Sequence, residues 1–262
     1  MTELRTAYDG SGAAWARGPS RLFDLLANRV IEEFAAHLRG ATVLDVGAGT
    51  GAVSRALQRA GARPVAVDAS ADMLAHVGDS ALLTVVGDIC SLPFLDATFD
   101  AAVSAFAISH VDDPVRALAE MRRVVRAPGL IVAAVFGAAS ANASKDVIQE
   151  VAVQYGFEPP AWYRHLKAQT EPLSNTPDLL RECAHSASLE GVVVDDIEVD
   201  SEISTPGDIV EYRIGMAHLA PFVNSLTAVQ RECFLRDAIS AVRERGQPIR
   251  PRVLIMSSRS PA

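Results

Sequence analysis

The sequence has few cysteines, and they show no pairing pattern. Its three cysteines, Cys90, Cys183 and Cys233, lie far apart and include no Cys-x-x-Cys pair. Neither a zinc site nor a disulfide framework is therefore indicated. We expect reduced, structural cysteines and no bound metal, which is typical of a cytoplasmic protein.

The chain also lacks an excess of basic residues and long apolar runs. It has 24 Lys and Arg against 32 Asp and Glu, a net charge of −8, which argues against nucleic-acid binding because phosphates require a basic face. No apolar run approaches the roughly 20 residues of a membrane span. The first residues include Glu3 and Asp9 and lack the apolar segment of a secretory signal. We expect neither a nucleic-acid nor a membrane partner, and the sequence leaves the oligomeric state open.

What is present is a regular alternation of short apolar strands and helices. Apolar residues make up 49% of the 262 residues, enough for a full core. Short apolar strands separated by helices predict a parallel sheet covered on both faces. The predicted strands are 43–46, 64–67, 82–87, 99–105, 130–136, 192–203 and 252–257. We therefore expect an α/β fold, a Rossmann-like, seven-stranded, mostly parallel sheet.

The domain organisation follows from where this alternation begins and ends. We expect a single domain over 1–262 whose ligand-binding core spans 40–137. The apolar periodicity of 20–38 predicts a helix, so 1–39 is interpreted as a helical lid. Segments 138–190 and 205–250 are predicted to be helical additions. Insertions at strand ends are where such folds build specificity, so we expect these additions near the substrate site.

The segment 43–51 is the most informative part of the chain. An apolar strand containing Asp45 runs into glycines at Gly47, Gly49 and Gly51, and a predicted helix follows. Glycine permits a sharp turn and a close approach of a ligand to the backbone. A strand, a glycine turn and a helix N-terminus are typical of a nucleotide-binding corner.

Three acidic residues at the carboxyl ends of predicted strands restrict the class of ligand that this corner could bind. Asp68 follows Gly47 by about 20 residues, an interval that suits a carboxylate on ribose hydroxyls but that a dinucleotide fold also has. Asp45 would repel a pyrophosphate and attract an ammonium group, and the Gly-x-Gly-x-Gly spacing departs from the dinucleotide form. Asp88 offers an acceptor for an adenine amino group. A ligand with a cationic amino-acid end, a ribose and an adenine satisfies all three, and S-adenosylmethionine (SAM) is such a ligand.

Five ordered blocks then show a family resemblance over about 40–136. The sequence resembles the class I SAM-dependent methyltransferases, and within them the type-11 group of quinone-biosynthesis and bacterial natural-product small-molecule enzymes. It departs from the family pattern at Gly129, where two glycines are common, which affects a turn rather than the site. The blocks are 43–51, 65–68, 87–94, 99–103 and 123–130.

The resemblance implies a SAM site, with S-adenosylhomocysteine (SAH) as product, and a role for each matching residue. Those expected along the methionyl part are Asp45 near the ammonium group, Gly47, Ala48, Gly49, Gly51 and the Ala105 backbone. Those expected around the nucleoside are Asp68 on the ribose, Ala69 and Met73 against the adenine, and Asp88 with the Ile89 amide at its edge. Met73 could equally be a core position of its helix, and Asp45 a turn acid.

Candidates for the acceptor half of the reaction lie outside the glycine corner. His110, just past the fourth strand, is the best candidate for a general base, because histidine titrates near neutral pH. A structural histidine of the loop remains an alternative, and a metal site with Asp112 and Asp113 a weaker one. Aromatic and histidine side chains that could line an acceptor pocket or lid, or could simply pack, are Tyr8, Trp15, Phe106, Trp162, Tyr163, Tyr212 and His218.

The sequence therefore favours a SAM-dependent methyltransferase acting on a small molecule, with an aromatic natural product of secondary metabolism as the expected acceptor. Carbon, oxygen and nitrogen acceptors all remain open, and so does the use of a general base. A quinone-pathway C-methyltransferase is the alternative within the family. An NAD-dependent oxidoreductase and a non-catalytic SAM-binding module are the alternatives outside it.

Overall fold

The computed structural model describes residues 7–78 and 81–259, so the first six residues of the predicted lid lie outside the described part. Seven strands form one sheet in the order β3-β2-β1-β4-β5-β7-β6. The strands are β1 Thr42–Val46, β2 Arg63–Asp68, β3 Leu83–Val86, β4 Phe99–Ala105, β5 Val125–Phe136, β6 Glu190–Glu198 and β7 Arg252–Arg259. Strand β7 runs antiparallel between β5 and β6, and the pairs among β1 to β5 are parallel. The predicted seven-stranded, mostly parallel Rossmann-like sheet is confirmed.

Helices cover both faces of this sheet. They are α1 Gly12–Arg17, α2 Ser20–Leu38, α3 Ala52–Arg59, α4 Ala71–Leu74, α5 Pro114–Val124, α6 Ala143–Gln154, α7 Ala161–His165, α8 Pro177–Ser186, α9 Pro206–Ile214, α10 Ala220–Ser225 and α11 Ala228–Arg245. One face buries residues of α2, α3, α6, α9 and α11, and the other those of α5 and α8. In the described residues no helix is long and apolar enough to cross a membrane.

Chain order and strand direction bring the glycine turn and the second strand's end together. Because β1 lies between β2 and β4 and all three are parallel, their carboxyl ends share one edge. The amides of Gly47 and Ala48 both donate to the carbonyl of Val67, at 2.8 and 3.0 Å. The turn after β1 is therefore fastened to the end of β2, directly beside Asp68.

The structure corrects one sequence prediction of secondary structure. The predicted strand 192–203 spans Glu190–Glu198 instead. Its neighbour β7 begins at Arg252, and one backbone hydrogen bond, from Val199 to the carbonyl of Pro251, continues the pairing beyond it. Ile203 is buried in the core. Within the predicted addition 138–190, α7 is followed by a π-helical turn over Leu166–Thr170.

Candidate functional site

A cavity of about 880 Å³ opens at the carboxyl ends of β1, β2 and β4. One part, which we call the glycine end, is lined by 46–50, 67–70, Met73 and 87–91. The other, the aromatic end, is enclosed by α6, α7, the π-helical turn and α9. Its lining includes Phe136, Lys145, Trp162, Tyr163, Lys167, Glu171, Tyr212, Arg213 and His218. Two regions of different chemistry therefore share one continuous space.

The glycine turn requires glycine for two reasons. Gly47, Gly49 and Gly51 all have positive φ, at 75, 53 and 83°, where a side chain is strained. A Cβ on Gly47 would lie 2.2 Å from the Cβ of Ala107. The turn can therefore pass under the loop after β4 only without a side chain, and its backbone is exposed to the cavity. Gly51 lies outside the cavity lining and begins α3.

Asp68 ends β2 on the cavity wall and organises the glycine turn. Its Oδ2 accepts from the amide of Gly49 at 2.8 Å, and its Oδ1 accepts from the amide of Ser70 at 2.8 Å. Burial raises its pKa, and these amide hydrogen bonds oppose that rise. The half-buried carboxylate keeps acceptor positions on the cavity side, so it can hold hydroxyl donors of a ligand.

Asp45 lies beneath the turn and outside the cavity lining. It is 0% exposed, and its Oδ2 accepts from the hydroxyl of Ser54 at 2.6 Å. Its Oδ1 is buried without a hydrogen-bond partner. Burial raises the pKa of Asp45 to about 7. Because this carboxylate does not face the cavity, it could act on a ligand's positive charge only across the turn, and its expected place near an ammonium group stays a prediction.

The pKa of Asp45 has a definite consequence for stability. The folded chain holds the carboxyl proton of Asp45 more tightly than the unfolded chain does, where an aspartate has its ordinary pKa of 3.8. The contribution to stability is therefore complete below that value and is lost as the pH rises through about 7. A nearby cation would reverse this loss by favouring the ionised form.

The residues expected around an adenine lie together at the glycine end. Met73 is buried, and its Cε is the nearest atom to a Cβ built on Gly49, at 3.4 Å. Ala69, Asp88 and Ile89 line the same part of the cavity. They form an apolar slot with one acidic edge, and their individual roles remain predictions.

His110 lies on a 3₁₀ turn, Ile108–His110, between the two ends of the cavity. Its Nδ1 is 3.1 Å from the hydroxyl of Tyr8, and the two rings stack with centroids 5.7 Å apart. Burial lowers its pKa to about 4, so the imidazole is neutral at neutral pH. Asp112 instead pairs with His165 at 2.7 Å, and Asp113 caps α5 by accepting from Arg116 at 2.8 Å. Asp112 and Asp113 are thus engaged by other partners, and His110 contacts Tyr8.

The N-terminal segment is fastened across the glycine end. The hydroxyl of Ser70 donates to Asp9 at 2.7 Å. The carboxylate of Asp72 accepts from the amides of Gly10 and Gly12, at 3.1 and 3.0 Å. These bonds hold Tyr8 over the cavity. The segment is therefore placed as a lid would be, held to α4 by a few polar contacts.

The aromatic candidates meet around the cavity although they come from distant segments. All seven line it: Tyr8, Trp15, Phe106, Trp162, Tyr163, Tyr212 and His218. Tyr163 stacks on His218 with centroids 3.9 Å apart, and Phe106 stacks on Phe136 at 4.5 Å. Phe106 has φ of 63°, an unusual backbone conformation for a bulky residue. The strand exit is thus bent so that this ring joins the wall.

Comparison with known proteins agrees with this arrangement. Residues 44–133 match a type-11 family described as a methyltransferase domain. The matched residues run from β1 into β5 and include the glycine turn and Asp68, so this segment is similar to a methyltransferase domain. A demethylmenaquinone methyltransferase of Clavibacter sepedonicus is 35% identical over 135 residues, which cover 50% of this chain and 54% of that protein. The chain thus spans about half the length of the curated relatives it matches first.

Solved structures share the methyltransferase fold at low sequence identity. A candidate methyltransferase from an antibiotic biosynthesis pathway of Anabaena variabilis is 20% identical, with a TM-score of 0.63 over 91% of this chain and 99% of that one. Phosphoethanolamine N-methyltransferase 2 of Haemonchus contortus, in complex with phosphomonomethylethanolamine and SAH, is 17% identical, with a TM-score of 0.55 over 91% of this chain and 53% of that one. The likeness extends beyond the matched domain to most of the chain.

The cavity is also lined by residues that sequence reasoning missed. Phe23 from α2 and Phe136 from β5 complete the aromatic wall, with centroids 6.0 Å apart. Lys145 and Arg213 place cations in the aromatic end. The only signal in the sequence was that both cations lie in the predicted additions. Nothing local to either residue distinguishes it from a solvated surface cation.

Proposed function

We propose that the protein is a SAM-dependent methyltransferase acting on a small aromatic acceptor. The single observation that carries this proposal is the continuous cavity, which joins a glycine turn and Asp68 to an enclosure of aromatic side chains. The glycine end has the shape and polarity for a nucleoside with a cationic amino-acid end. The aromatic end offers flat apolar walls to a second, ring-containing molecule.

The residues at the glycine end fit SAM. The backbone of Gly47 to Gly49 is open for close approach, and Asp68 can accept from ribose hydroxyls. The carboxylate of Asp45 lies beneath the turn, where its charge would favour a cationic group above it. Bound SAM would supply an electrophilic methyl group on a sulfonium. Since the thioether leaves uncharged, the protein need only align the acceptor and exclude water.

The lid and the aromatic walls are suited to that task. Tyr8 contacts Trp15 and Trp162, with centroids 5.7 and 5.9 Å apart, so the N-terminal segment spans from α1 to α7. This contact covers the cavity, so it would have to open to admit the two molecules and to form again to separate them from solvent. We infer that the segment closes over both molecules during transfer.

His110 is proposed to accept a proton when the acceptor has one to lose. The hydrogen bond between Nδ1 and Tyr8 makes this possible in only one tautomer. If Nδ1–H donates to the hydroxyl oxygen of Tyr8, then Nε2 is free to accept. The low pKa keeps His110 unprotonated at neutral pH but makes it a weak base, which suits an acidic hydroxyl better than an amine.

A quinone-pathway C-methyltransferase is the second candidate. The relative from Clavibacter sepedonicus is named a demethylmenaquinone methyltransferase. Against it, the match stops at about half of either protein, and the aromatic end is built largely from the segments outside the matched domain. An acceptor specificity different from that of the quinone enzymes is therefore our proposal.

Two measurements test these statements. Calorimetry should show binding of SAM and SAH by the full chain and none of NAD; the reverse would support an oxidoreductase. A screen with SAM labelled in the methyl group should transfer label to phenolic acceptors in preference to a demethylmenaquinone analogue. Labelling of the quinone alone would favour the second candidate, and tight SAM binding with no transfer to any acceptor would favour a non-catalytic module.

A further inference from the structure

Three cations line the aromatic end of the cavity, and one of them has a carboxylate partner. Lys167 Nζ contacts both oxygens of Glu171, at 2.9 and 2.7 Å. Lys145 on α6 and Arg213 on α9 also line the cavity. Within residues 7–78 and 81–259, neither makes an ion pair with a carboxylate. Two positive charges therefore line the aromatic end without a carboxylate in ion-pair contact among the described residues.

Arg213 is buried to an unusual degree for an unpaired arginine. Its exposure is 6%, and its Nε is buried with no hydrogen-bond partner. Its Nη2 donates a single long hydrogen bond, 3.3 Å, to the hydroxyl of Tyr163. Burying a charge is costly unless the charge is paired and hydrogen-bonded. The guanidinium is thus left with donors that a ligand can use.

Lys145 shares this environment. Its Nζ lies 5.7 Å from the centroid of Phe136. Burial, together with the charges of Arg213 and Lys167, lowers its pKa to about 8. Glu171 and Asp146, which also line the cavity, oppose that effect, but Glu171 is engaged by Lys167 and Asp146 is exposed to solvent. The neighbouring His218 is 5% exposed and held neutral by burial, so it adds no charge of either sign.

Flat apolar surfaces lie beside these cations. Phe106 stacks on Phe136, which lies beside Lys145, and Tyr163, which accepts from Arg213, stacks on His218. An arginine fork matches the two oxygens of a carboxylate. We propose that the acceptor is an aromatic carboxylic acid, with its carboxylate bound by Arg213 and Lys145 and its ring against these side chains. This rests on the methyltransferase function proposed above and names its substrate class.

Benzoate and benzamide test the proposal, because they share a ring and a planar head group and differ in charge. Both would be titrated calorimetrically into the full chain saturated with SAH. The Kd of benzoate should be lower than that of benzamide by a factor of about ten or more, as expected for hydrogen bonds to a charged group. Arg213→Gln should remove that preference, and Arg213→Lys should restore part of it. Arg236→Gln, at an exposed arginine paired with Asp237, is the matched control and should change nothing.

SAH binding separates this proposal from the function on which it rests. All variants should bind SAH as the wild type does, which also shows that Arg213→Gln is folded; Lys145→Met provides a second variant. Equal binding of the two probes, an unchanged preference in both variants, or no benzoate binding by a chain that binds SAH would overturn the proposal. A wild type that fails to bind SAH would instead reject the cofactor assignment. Benzoate titrated without SAH would then decide the anion site on its own.

Discussion

Replacing Asp68 by alanine tests how the glycine end works. The carboxylate accepts two amide hydrogen bonds of 2.8 Å, from Gly49 and Ser70, and faces the cavity. If it also holds ribose hydroxyls, Asp68→Ala removes charged hydrogen bonds to the ligand. Such a loss costs about 1.5–3 kcal/mol, which corresponds to a roughly 10- to 150-fold weaker Kd for SAM.

The same substitution loosens the turn, so a second variant is needed. Asp68→Asn keeps the size of the side chain but can accept from only one of the two amides with its single oxygen. We expect it to weaken SAM binding within the same range, because its NH₂ group would face the other amide. Asp100→Ala is the matched control: Asp100 also accepts from a backbone amide, that of Thr42 at 2.7 Å, but lies off the cavity.

Calorimetry with SAM and SAH at neutral pH measures the effect, and circular dichroism confirms that each variant is folded. A folded Asp68→Ala protein whose Kd stays within about twofold of the wild type would refute the reasoning, since it would leave no room for the lost hydrogen bonds. An equal loss in Asp100→Ala would show that the effect reflects general destabilisation.

Three further predictions concern the other parts of the site. At pH values above neutral, Asp45→Asn should raise the Tm of the ligand-free protein, because the wild-type carboxyl group, with its pKa raised to about 7, destabilises the fold once it ionises. Near pH 4 the substitution should not raise the Tm, and equal effects at both pH values would contradict this. His110→Ala should leave the Kd of SAM unchanged and slow label transfer, and the wild-type rate should fall only as the pH drops toward about 4; normal turnover would reject the base. Asp72→Ala removes the acceptor for Gly10 and Gly12, so amide exchange over 8–12 should rise by about 5- to 30-fold, the effect of losing roughly 1–2 kcal/mol of hydrogen bonding; unchanged protection would show that Asp72 does not hold the N-terminal segment in place.

Much of the glycine end could be predicted because its signals are local. The turn at Gly47 to Gly51 needs positive φ at all three glycines, and that requirement is visible in the sequence itself. Asp68 and Asp88 follow apolar strands, and parallel strands place such residues at one edge. The same argument predicted that Asp45 lies near this edge but not how deeply it is buried, because its burial under the turn depends on packing against Ser54 in the next helix.

The aromatic end could be predicted only as a set of candidates. Phe23, Phe136 and Arg213 come from three elements far apart in the chain, and their meeting depends on how α2 and α9 pack on the sheet. The pairing of Lys167 with Glu171 is local, one helical turn apart. The lack of a carboxylate partner for Arg213 among the described residues is not a local feature, because it depends on every neighbour that folding brings near.

The sequence by itself determined the fold and which residues meet at the glycine end. Strand periodicity, glycine spacing and acids at strand ends act over a few residues, and a regular sheet places them at one edge. Tertiary structure alone decided that the N-terminal segment crosses the cavity and that two unpaired cations lie among aromatic rings. Burial and charge pairing are properties of the whole packed chain, so these features exist only once distant segments have been brought together.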